Sequence, residues 1–86
     1  MMTRTDKINR IIDAALYNNF SDDIDDIEML SYTKDGQTYN DRFDYINTTI
    51  FPISIHFIGG TGSSNFCVPL SNLTDQSLDI LNACII

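Results

Sequence analysis

Basic side chains are scarce in this chain. Five Lys and Arg stand against twelve Asp and Glu in 86 residues, giving a net charge of −7. Holding nucleic-acid phosphates takes a stripe of Lys and Arg, so direct nucleic-acid binding is excluded. Cysteine is nearly absent too. Cys67 and Cys84 are the only two, in no Cys-x-x-Cys pattern, which excludes a disulfide framework and a zinc cluster. Both read as small buried hydrophobes. There is one histidine, His56. The longest nearly apolar run, Ile50 to Ile58, is about half of what a membrane-spanning helix needs. The chain opens Met-Met-Thr-Arg-Thr-Asp and passes into an amphipathic pattern without a leader, so a cytoplasmic location is expected.

What is present is unevenly placed. Residues 1–12 hold Arg4, Lys7 and Arg10 against Asp6 alone. Residues 13–44 hold nine acids against Lys34 and Arg42, a local charge of −7. Residues 45–74 carry no Asp, Glu, Lys or Arg. Thirty uncharged residues point to covered strands, or to a face that another molecule covers. The hydrophobic fraction of 43%, with five Phe and four Tyr, is enough for one packed domain over residues 1–86.

Ile8, Ile11, Ile12, Ala15 and Leu16 fall on one stripe of a 3.6-residue period and predict a helix. Thr3 or Thr5 suits its N-cap, and Asn18-Asn19 its stop, because Asn tolerates the left-handed conformation. On its far side Lys7, Arg10 and Asp13 are expected to face water. Asp35-Gly36 predicts a two-residue hairpin turn, since both central residues of that turn need positive φ. The register then sets Tyr32 opposite Tyr39 and Thr33 opposite Thr38. Continuing it opposes Leu30 to Asp41 and Met29 to Arg42, where a bulge or an early end to pairing is expected. The path from Asn40 to Thr49 stays open between helix and strand.

Phe51, Ile53, Ile55 and Phe57 alternate with polar residues and predict a strand near 50–58, with Pro52 at its start or on an edge. A shorter strand is expected at 66–70. Thr74 then caps a final helix, with Leu73 and Leu78 placed for a hydrophobic staple and Leu81, Cys84 and Ile85 facing inward. The fold expected is α+β: an antiparallel sheet of three to four strands with N- and C-terminal helices packed on one face.

No cofactor, metal or catalytic group is expected. Gly59-Gly60-Thr61-Gly62-Ser63-Ser64 lacks the lysine and the following helix of a phosphate loop, and reads as a hairpin connection. Asp22, Asp23, Asp25, Asp26 and Glu28 lack the glycine and the spacing of a calcium loop. His56 and Cys67 fall on neighbouring strands, and nothing in their spacing assigns them chemistry. Tyr32, Tyr39, Phe43 and Tyr45 read as sheet packing or as an aromatic surface flanked by Asp35, Asp41 and Asp44.

The leading functional expectation is therefore a non-enzymatic acidic module that docks on a larger basic protein. Its partner-binding residues would be Asp22, Asp23, Asp25, Asp26, Glu28, Tyr39, Asp41 and Asp44. One concrete form is an inhibitor that sets carboxylates where phosphates would sit, by analogy with small phage-borne antagonists of host defence. The alternative is a homodimer joined through residues 45–74. A small-molecule site using His56, Cys67 and the glycine loop ranks third.

Overall fold

The computed structural model describes residues 1–60 and 64–86. Helix α1 (Arg4–Tyr17) begins at Thr3, whose hydroxyl accepts the Asp6 N–H while the Asp6 carboxylate accepts the Thr3 N–H. This reciprocal box satisfies two backbone donors that the first turn leaves free. Asn18 ends the helix in the left-handed conformation, φ 55°. Ile11 and Ala14 are buried, with Ile8 and Ile12 at their flanks, but Leu16 is exposed. Leu16 lies about 140° around the helix from Ile11, outside the covered stripe.

A 3-10 turn over Asp22–Asp26 leads to the strands β1 (Met29–Lys34), β2 (Gln37–Asn47), β3 (Ser54–Ile58) and β4 (Asn65–Pro69). They form one antiparallel sheet in the order β1-β2-β3-β4. Asp35 and Gly36 both have positive φ, 53° and 78°, and the register runs unbroken from Lys34↔Gln37 to Met29↔Arg42. The irregularity expected at Met29 and Arg42 instead falls on the other edge of β2. There Phe43 pairs with Phe57 and Tyr45 with His56, so Asp44 is the extra residue of a bulge. β3 begins at Ser54, later than the alternation implies, and Phe51 is 90% exposed. Pro52 has no N–H for a ladder and restricts the residue before it, so pairing starts only after both. Of the glycine loop, Thr61, Gly62 and Ser63 lie outside the described residues.

On the inner face Leu30, Tyr32, Ile55, Phe57 and Val68 are buried beneath α1 and α2 (Asp75–Ala83), which contributes Leu78 and Leu81. The sheet is curled: the Tyr32 ring on β1 meets the Phe66 ring on β4, 5.8 Å away, although two strands separate them in the order. The chain leaving β4 crosses through Leu70–Asn72 to the outer edge of β1, where Leu73 bridges to Tyr32.

At that crossing the buried Ser77 hydroxyl accepts the Ser31 N–H at 2.7 Å and donates to the Ser31 carbonyl at 2.8 Å. Thr74 caps α2 by accepting the Ser77 N–H, and its own N–H reaches the Ser31 carbonyl. The two helices are also tied to each other. Arg4 pairs with Asp75 at 2.7 Å, Lys7 with Asp79 at 2.7 Å, and Arg10 donates to Asn82 at 3.0 Å. Lys7 is thus half-buried along α2 rather than facing open water, whereas Arg10 and Asp13 are exposed, as expected.

Ser77→Ala leaves the buried Ser31 N–H without an acceptor and should lower unfolding stability by about 1–3 kcal/mol. Urea unfolding followed by circular dichroism should show an earlier midpoint with an unchanged slope.

Candidate functional site

The acidic residues fall into two groups. Asp22, Asp23, Asp25 and Asp26 are exposed on a single 3-10 turn, and Ile24 within it faces inward. The turn is anchored at its start: the Ser21 N–H donates to the Cys84 carbonyl at 2.8 Å, and Phe20 bridges to Ile85. Glu28 follows with an exposed side chain, while its carbonyl accepts the Phe43 N–H at 2.9 Å. Among the described residues no Lys or Arg pairs with any of these five acids. The cause is upstream, since Arg4, Lys7 and Arg10 are committed to α2.

The bulge carries Asp44 toward this turn. A cleft of about 250 Å³ between the end of α1, the acidic turn and β2 has Phe20, Ile24, Phe43 and Ile46 in its lining. Asp25, Asp44 and Tyr45 line it too. Apolar walls with carboxylates among them suit a cationic side chain with an aliphatic stem, and Tyr45 offers a ring face to the same charge.

Asp41 and Tyr39 do not belong to that cleft. Asp41 faces the core side of β2 and accepts the Tyr32 hydroxyl at 2.5 Å. Tyr39 stacks on Tyr32 with ring centroids 5.7 Å apart, and its hydroxyl donates to Gln37. The structure therefore gives Asp41 an internal partner and sets Tyr39 nearer the hairpin turn.

The remaining chemistry lies on the outer face. His56 Nδ1 is 3.0 Å from Asp44 Oδ2. Nδ1 has no hydrogen bond of acceptable geometry, so the approach is a charge contact lying off the N–H direction. The imidazole stacks on Tyr45 at 4.6 Å and 13°. Cys67, exposed, is the cross-strand partner of His56. Sequence reasoning placed His56 and Cys67 on adjacent strands but had no signal for the bulge that brings Asp44 to the imidazole.

Among the described residues no helix is long and apolar enough to cross a membrane. Burial first, then the hydrogen bond and charge of Asp41, push the Tyr32 phenol from 10.0 up to about 12. The folded chain holds that proton more tightly than the unfolded one. The associated stabilisation is complete below pH 10 and is lost as pH climbs through about 12. Ultraviolet titration should show one tyrosine ionising well after the rest, and Asp41→Asn should move that late step to lower pH. Set against known proteins, the chain matches no family model, no curated protein and no solved structure.

Proposed function

We propose that this chain is a small acidic interaction module that docks on a larger basic protein. The observation that carries this reading is the division of charge. The helix cations are spent on the partner helix, while Asp22, Asp23, Asp25, Asp26 and Glu28 stand exposed beside a cleft lined by apolar side chains and by Asp25, Asp44 and Tyr45. Like charge concentrated on one turn steers encounters with a basic surface, and the cleft offers a place for one anchoring side chain. The concrete form is an inhibitor that occupies a nucleic-acid-binding surface with carboxylates in place of phosphates. Asp41 and Tyr39 drop out of the contact surface on this reading.

The test replaces Asp22, Asp23, Asp25 and Asp26 together by Asn. The wild-type chain should retain a basic, nucleic-acid-binding protein at low ionic strength, and release it as salt shortens the range of charge attraction. Added duplex DNA should compete. The fourfold variant should fold as the wild type does and retain the partner at least about tenfold less, equivalent to about 1.4 kcal/mol. Equal retention by the variant would sink the proposal.

A second reading, a homodimer through the uncharged stretch, draws on one observation. Ile50 and Phe51 are 66% and 90% exposed within residues 45–74. On that reading the wild type sediments as a dimer at high salt, and Phe51→Glu gives a folded monomer. A wild-type monomer at micromolar concentration removes it.

A further inference from the structure

Cys67 and His56 sit in a constellation that shares only Asp44 and Tyr45 with the acidic surface. The Gly59 N–H donates to the Ser64 carbonyl at 2.5 Å, across the next rung beyond Ile58↔Asn65. Opposed residues in an antiparallel ladder alternate between bonded and unbonded pairs, so counting inward makes His56↔Cys67 an unbonded pair. In such pairs the Cα atoms stand about 4.5 Å apart and the side chains approach most closely. Cys67 and His56 are therefore nearest cross-strand neighbours on the outer face, Cys67 on the last strand of the sheet.

Both groups are positioned by neighbours. The bulge at Asp44 sets its carboxylate 3.0 Å from His56 Nδ1, and Tyr45 stacks flat against the ring. The carboxylate charge beside the ring stabilises positive charge that develops on the imidazole as it takes a proton. On the sulfur side, Asn47 Nδ2 donates to Cys67 Sγ at 3.6 Å. The amide orientation is set by Thr49, whose N–H and hydroxyl both donate to Asn47 Oδ1, at 3.0 and 2.6 Å. A donor aimed at sulfur stabilises the thiolate from which attack starts, before its charge passes to the leaving sulfur. Among the described residues, no three His, Cys, Asp or Glu side chains are arranged to hold a metal ion. Cys84 has none of this setting. It is buried, and burial together with Asp23 and Asp26 pushes its thiol up.

We propose that Cys67 is a thiol–disulfide exchange site, with His56 as its base, Asp44 and Asn47 as positioning residues, and a small acidic disulfide as its substrate. Cys67 Sγ attacks one sulfur of the disulfide and its proton passes to His56. The S–S bond breaks, a mixed disulfide forms on Cys67, and the second half leaves as a thiolate that takes the proton from His56. No outside oxidant is needed. Arg42, opposite Ile58 and one step along the same face, supplies a cation for the acidic substrate. The site shares Asp44 and Tyr45 with the docking cleft, but its chemistry does not rest on the partner-docking reading.

The test exposes the folded chain to glutathione disulfide and follows adducts by intact-mass spectrometry and peptide mapping. One adduct should form, on Cys67, at least about tenfold faster than on the same chain unfolded in urea at the same pH. His56→Ala and His56→Gln should both bring the folded rate down to that of the unfolded chain, with circular dichroism unchanged. Asp44→Asn should give an intermediate rate, and Asn47→Ser should slow exchange without loss of fold. A folded rate equal to the unfolded one, a first adduct on Cys84, or a folded His56→Gln variant that reacts as fast as wild type would each overturn the proposal.

Discussion

The fold depends on how the last helix finds the first strand. β1 is an edge strand, and its outward N–H and C=O at Ser31 would lie buried without partners under α2. Ser77 answers both with one hydroxyl, and the Thr74 cap adds its N–H to the same carbonyl. Buried polar backbone left unmatched is costly, so this junction has one favourable docking depth for α2. Leu73 and Leu78 follow into the core, and the segment leaving β4 is drawn across to β1. An edge that would otherwise invite another strand is occupied from within the chain.

With α2 in that position, its acids Asp75 and Asp79 meet Arg4 and Lys7 of α1. These are exposed or partly exposed pairs, each worth little in stability. Their consequence is electrostatic. Two of the three helix cations are neutralised locally, and among the described residues the acids of the 3-10 turn are left without a basic partner. The bulge at Asp44 then links two surfaces. Its backbone lets β2 change face, so that Phe43 and Ile46 both reach the core, and its carboxylate serves the His56 contact and the cleft beside the turn.

Local signals in the sequence were legible where one residue type answers one backbone need. Asn18, Asp35-Gly36 and Thr74 each mark a boundary by their own chemistry and stand where that chemistry requires. Of the two N-cap candidates the structure uses Thr3, with Asp6 completing a box that sequence reasoning missed. The acidic turn was legible as charge. Non-local facts were not. Nothing near Lys7 announces that Asp79 will neutralise it, and nothing near Asp41 announces the Tyr32 hydroxyl. The alternation through Phe51 imitates a strand because periodicity ignores the missing N–H of Pro52. The bulge had no signal, since Phe43-Asp44-Tyr45-Ile46 fits an unbroken strand equally well until β3 fixes the register.

The pairing of the helices also sets an order of events during synthesis. Arg4 and Asp75 are 71 residues apart in sequence, and Arg10 and Asn82 are 72 apart. α1 precedes α2 by the whole sheet, so during synthesis its apolar stripe stays uncovered until α2 has been made. The meander between them closes through near neighbours and forms early, whereas the helix layer closes the longest loop in the molecule. Until that loop closes, the stripe on α1 is transiently exposed apolar surface of the kind that chaperones recognise.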